Sequence, residues 1–229
     1  MIYGDYQLGF SIIARCARTG QIGAALASPQ LAGGIILDAA IQRGVGGILV
    51  QGTPHPRLNR LAVNLLAQGW SPKVVLEHLQ ADDDSIRERQ VAILDRENRV
   101  ITIGVESGEG EGYAVLASSE VVEVMKRAFE NDPSADLDVR LVATLEAGNT
   151  AIMAGSLRSA AIVVWGSLDY SLFDLRVDFH DNPVQELRRV YEDFKPTAEF
   201  YEARARNPRM TMNAREFAGI LETRKQQQP

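Results

Sequence analysis

Residues 9–28 read GFSIIARCARTGQIGAALAS, and the rest of the chain is organised around them. Phe10, Ile12, Ile13 and Ala14 make an apolar, β-prone run, Arg18-Thr19-Gly20-Gln21 supplies a turn, and residues 22–27 resume a strand of small side chains. The pattern predicts an opening β-hairpin. Glycine stays dense from Gly20 to Gly52, where a missing Cβ lets backbones approach closely. Residues 32–36 and 45–50 read as further strands, with 37–42 as a short connection between them.

Outward from the hairpin, helices and strands come in groups. Leu58, Leu61, Ala62, Leu65 and Leu66 recur at helical spacing, and Gly69 stands where a C-cap belongs. Ser71-Pro72 supplies an N-cap and a first-turn proline for a second helix carrying Val74, Val75, Leu76 and Leu79. A second hairpin joins residues 91–94 to 100–103, and 113–117 form another strand. Ser118 or Ser119 caps a helix through Phe129, and 137–146 repeat the helical pattern. Two late strands, 160–165 and 173–177, precede a helix over 183–194 with Val184, Leu187, Val190, Tyr191 and Phe194 on one face. Beyond Lys195 the composition turns polar. Residues 1–195 are expected to form a single domain and 196–229 a C-terminal arm, either packed on the domain or on a second subunit, or frayed.

At 229 residues, 45% hydrophobic and 24% charged, the chain has ordinary globular composition. Its net charge of -6 argues against a broad phosphate-binding surface, which needs clustered Lys and Arg. Nucleic acid is therefore not expected as a partner. Cys16 is the only cysteine, so an internal disulfide framework is excluded. No apolar run reaches the roughly 18–20 residues of a spanning helix, and no leader pattern stands at the start. No membrane association and a cytoplasmic location are expected.

The opening stretch resembles that of domain-of-unknown-function family 1028, placed among the N-terminal-nucleophile (Ntn) hydrolases. Members typically begin Met-Thr-Phe-Ser-Ile-Val-Ala-Arg and continue Thr-Gly-Glu-Leu-Gly-Val-Ala-Val-Ala-Ser. Gln51, Pro56 and Leu58 fit a later part of the family pattern. The distal match is Asp174-Leu175-Arg176-Val177-Asp178 with Asp181, Pro183, Val184, Glu186, Leu187 and Arg188. The resemblance covers residues 9–194 and implies an α+β, four-layer αββα sandwich of two mainly antiparallel sheets between helices. Periodicity alone gives only a mixed α/β or α+β class.

Ntn chemistry needs a nucleophilic side chain and a free α-amino base on one terminal residue. The family's Thr position is here Gly9, preceded by eight residues. Ile2 disfavours trimming of Met1, and isoleucine offers no nucleophile. Cleavage before Ser11 would create a hydroxyl-bearing terminus, at the cost of removing Gly9 and Phe10 from the strand. Two readings stay open: a catalytically silent Ntn-fold protein that binds a small ligand or acts as an assembly subunit, and an amidohydrolase acting on a small amide through Ser11 after processing. Homo-oligomerisation belongs to the first. Other polar positions of the family are also replaced, by Leu116-Ala117-Ser118 and by Ile152-Met153, Gly155-Ser156 and Arg158.

Arg15, Gln51, His55 and Arg158 are the candidate binding residues beside Ser11. His55 stands between two prolines, at a pocket mouth or in a solvent-facing turn. Arg158 presents a guanidinium for a carboxylate, or serves structurally. Arg176 and Asp178, two apart, fit an ion pair on one strand face. Asp178, His180 and Asp181 form too common a run to assign a metal, and neither metal nor organic cofactor is expected. Cys16 reads as a packed residue at a strand end, with a second reading as a thiol tuned by Arg15. The Gly-Glu alternation over 104–112 would repel phosphate and reads as a flexible acidic loop.

Overall fold

A computed structural model describes residues 9–34, 39–52, 55–104, 107–153 and 155–226. They form a compact unit ending at Leu187 and a second unit from Arg188 onward.

The first unit is built on two sheets. Strands β1 (Phe10–Arg15) and β2 (Ile22–Ser28) pair antiparallel, with Ser11 opposite Leu26 and Arg15 opposite Ile22. The predicted opening hairpin is therefore present. β3 (Ala39–Gln42), β4 (Gly46–Gln51), β5 (Gln90–Asp95) and β6 (Val100–Ile103) form a four-stranded sheet in that order. The six-stranded sheet adds β7 (Ser107–Gly110), β8 (Tyr113–Leu116), β9 (Ser159–Trp165) and β10 (Ser171–Val177) to the hairpin, in the order β10-β9-β2-β1-β8-β7. All the strand pairs in both sheets are antiparallel.

Strand periodicity separates the faces. Ile13, Ala114, Leu116 and Val163 of the larger sheet meet Ala39, Leu49, Ala92 and Leu94 of the smaller one in a shared buried layer. The alternate residues Ile48, Val50, Val91 and Ile93 face away. They pack against Leu58, Ala62 and Leu66 of α1 (Pro56–Ala67) and Val75 and Leu79 of α2 (Pro72–Asp82). Burying each such Leu, Ile or Val contributes about 1.5–3 kcal/mol before entropy is counted. Ser71 caps α2 by accepting the Val74 N–H at 3.5 Å.

Helices α3 (Ser119–Glu130) and α4 (Leu137–Thr150) cover the outer face of the larger sheet. Gly148 of α4 lies against the Phe10 ring, and Gly23 of β2 lies under Leu141. The order is helices, sheet, sheet, helices: the four-layer αββα sandwich that the resemblance implies.

Three local readings are corrected. The strand that pairs with β4 is β3, inside the stretch read as a connection, while residues 32–34 form no strand and 35–38 lie outside the described residues. The acidic glycine stretch is not simply a loop: Ser107–Gly110 pairs with β8 as an edge strand. The late helix α5 (Pro183–Arg206) runs on past Phe194 and Pro196.

Within the second unit, the remainder of α5 carries the i,i+4 pairs Arg188–Glu192, Arg189–Asp193 and Arg206–Glu202. Asn213 and Glu216 exchange backbone and side-chain hydrogen bonds in a capping box at the start of α6 (Ala214–Gln226). The Phe200 and Phe217 rings meet edge-on at 5.7 Å between centroids.

No helix among the described residues is long and apolar enough to cross a membrane.

Candidate functional site

The start of β1, in the larger sheet, turns alternate side chains toward the smaller sheet, and its first residues define the site. Ser11 shares the inward face with Ile13, because the two are separated by one full pleat. It is 0% exposed. From the smaller sheet, Gln51 at the end of β4 reaches across and donates from Nε2 to Ser11 Oγ at 2.5 Å. Gln51 is 7% exposed, and its Oε1 has no hydrogen-bond partner among the described residues. Beside Gln51 in register is Gln90, which opens β5 and donates from Nε2 to the Ala117 carbonyl of the larger sheet at 3.3 Å. Ser11, Gln51 and Gln90 thus make a neutral polar seam at one end of an otherwise apolar layer. Burial makes its hydrogen bonds costly to leave unmade.

Gly9, two residues upstream, has no room for a side chain. A Cβ built there would collide with the Ala27 carbonyl oxygen and stand 3.1 Å from Ser28 Cα. Position 9 therefore lacks a nucleophile, and the neighbouring strand closes the volume that one would occupy.

Next to Gln90 in sequence, the buried Arg89 pairs with the half-buried Asp83 at 2.7 Å. The Arg89 guanidinium holds the Asp83 carboxyl below its ordinary range, outweighing desolvation, with help from the Ser85 N–H. His55 is the N-cap residue of α1. Its charge contributes weakly to the same shift, and its Nδ1 is buried without a partner among the described residues.

A family model described as a family of unknown function, DUF1028, matches residues 9–187. The chain belongs to the DUF1028 family. The match ends at Leu187, the last residue of the first compact unit. A solved DUF1028 structure from Silicibacter pomeroyi is 26% identical, covers 82% of this chain and 89% of its own, and superposes with a TM-score of 0.73. More distant is Anbu, an ancestral beta-subunit from Yersinia bercovieri: 11% identity, TM-score 0.40, covering 89% of this chain and 100% of that one. Anbu from Hyphomicrobium sp. strain MC1 is similar at 11% identity and TM-score 0.43, over 83% and 96% of the two chains. No curated protein matches.

Of the residues singled out in this DUF1028 chain, Ser11 and Gln51 come together. His55 lies four residues beyond Gln51. Arg15 is at the opposite end of β1, where its Nη1 donates to Asn98 Oδ1 at 2.9 Å. Arg158 is partly exposed and pairs with Asp181 at 3.4 Å. Arg176 pairs with Asp178 at 3.4 Å, the ion pair expected from their spacing. His180 Nδ1 accepts the Asn182 N–H, and no His, Cys, Asp and Glu group suited to a metal occurs among the described residues.

Cys16 is buried at 3% exposure. Burial, the largest influence on its thiol, acts upward. Hydrogen bonds from the Thr19 side chain and backbone and the Arg18 backbone, with the Arg18 charge, together carry the thiol below its ordinary 9.0. The tuning comes from Arg18 and Thr19, whereas the sequence pointed to Arg15.

Gln90 was missed. Its signal is its position: like Gln51 it is an uncharged polar residue bordering an apolar strand, and the two are cross-strand neighbours.

Proposed function

We propose that this chain is a catalytically silent αββα-fold protein that holds a small uncharged ligand at the seam of Ser11, Gln51 and Gln90. One observation carries the proposal: position 9 is a glycine whose missing Cβ is required by the Ala27 carbonyl. A nucleophilic side chain at the head of β1 is therefore sterically disfavoured as well as missing. The seam side chains are neutral, so an ionised ligand there would lose hydration with no opposite charge to replace it. Gln51 Oε1 supplies an acceptor for a ligand N–H, and the Ser11 hydroxyl supplies a donor.

The second reading, hydrolysis of a small amide after cleavage before Ser11, is favoured by the placement of that hydroxyl at the head of the strand. Against it stands Phe10, which is fully buried and paired with Ala27. Its removal would leave a cavity against Gly148, and losing a buried phenylalanine side chain costs about 3–5 kcal/mol. Intact-mass measurement, together with titration of neutral amide, carboxylate and amine probes by thermal shift, separates the readings. The silent-binder reading requires an unprocessed chain that responds to the neutral probe. Assembly through the C-terminal helices is a compatible second role.

A further inference from the structure

Residues 29–34 leave the end of β2 and run over the inward face of the larger sheet toward β9 and β10, and their attachments are specific. Ser28 and Ser159 share the inward face of the larger sheet, as cross-strand partners on β2 and β9. The Ser159 hydroxyl donates to the Gln30 carbonyl at 2.7 Å and accepts the Gly33 N–H at 3.1 Å. Ser28 Oγ accepts the Gln30 N–H at 3.1 Å. The Ala32 N–H reaches the Asp178 carbonyl at 2.9 Å.

The crossing is close. A Cβ on Gly33 would stand 2.7 Å from Ser28 Oγ, and one on Gly34 would stand 3.0 Å from Arg176 Cδ. Ala32 sits at φ 49°, a left-handed conformation disfavoured for alanine. Leu31 remains 62% exposed, so hydrophobic burial of this side chain does little to fasten the segment. Ser11, Leu26, Ala161 and Arg176 form one row across β1, β2, β9 and β10. Strand spacing near 4.8 Å places Gly34, above Ala161, about 10 Å from Ser11 along that row.

From this we infer that residues 29–34 are a strap that gates the seam, with the Ser28 and Ser159 hydroxyls as its latch. The strap guards the proposed ligand site, but access to Ser11 is read without any ligand. A chain that binds nothing can still be gated, and a binder can lack a gate.

The test uses the full chain carrying Ser11→Cys, with Cys16 retained. Arg15 separates the two cysteines in a tryptic digest. Labelling by iodoacetamide is followed at both, Cys16 reporting any general loosening. Ser159→Ala removes two latch bonds and should raise the ratio of labelling at position 11 to that at Cys16 about tenfold. Gly33→Ala, which pries the strap from Ser28, should raise the ratio in the same direction. A ratio unchanged in the folded variants, or an equal acceleration at both cysteines, would overturn the gate.

Discussion

Gly9 and Ala27 approach so closely that the Ala27 carbonyl oxygen occupies the space a Cβ at position 9 would need. The neighbouring β2 backbone is thus fitted to a glycine. Restoring a hydroxyl at position 9 alone leaves this close packing in place.

Gly9→Thr is accordingly expected to destabilise the first unit by about 1–3 kcal/mol, the usual penalty for overpacking, and to confer no amide hydrolysis. Urea denaturation and a turnover assay with a chromogenic amide check both parts. Undiminished stability would show that the strand moves aside.

The Ser11–Gln51 hydrogen bond links the two sheets across 40 residues of sequence. Ser11→Ala and Gln51→Leu should each destabilise the fold. The double substitution should cost about 1 kcal/mol less than their sum, because removing both partners leaves no orphaned group. Chemical denaturation of the four proteins in this cycle measures the coupling.

Asp83 is held below its ordinary value of 3.8, chiefly by Arg89. A depressed folded-state pKa contributes stability that is fully present above the unfolded value and is lost as pH falls through the folded value. The contribution of this pair to the unfolding free energy should therefore be present and constant between pH 6 and 5, and should be lost progressively below about pH 4. Asp83→Asn should flatten that acid limb. It should also lower stability at neutral pH, because the charge-assisted hydrogen bond from Arg89 to the Asp83 carboxylate is replaced by a weaker one to a neutral amide.

The Phe200–Phe217 contact closes the C-terminal helices on each other. Phe217→Ala should weaken that pairing by about 0.5–1.5 kcal/mol beyond the lost area. Sedimentation of a chain ending after Asn207, which lacks α6, tests the proposed assembly role: fewer subunits per particle than the full chain supports it, and an unchanged subunit number removes α6 from any interface.

Much of the fold is legible because its signals are local. The turn at Gly20, the Ser71-Pro72 cap and the apolar spacing from Leu58 to Leu66 each act within a few residues, and the structure contains all three. Where the sequence misled, pairing partners decided the outcome. Ser107–Gly110 has no β-branched residue, yet it pairs with β8, a case of tertiary context overriding propensity. Ala39–Gln42 is short and lacks clear alternation, and becomes a strand through its pairing with β4. Pro196 marks a conventional helix stop, but α5 continues through it.

The site was legible only in part. Gln51 and Ser11 were each visible, whereas their meeting depends on two sheets packing face to face. Gln90 and the Ser28–Ser159 latch depend on register, which single-residue reading does not supply.

Intact-mass analysis of the purified chain, before and after exposure to a hydroxyl-directed electrophile, tests the absence of an N-terminal nucleophile most directly. The expected result is one species that still contains Gly9 and Phe10 and carries no adduct. A chain beginning at Ser11, with the electrophile attached to that residue, would contradict it.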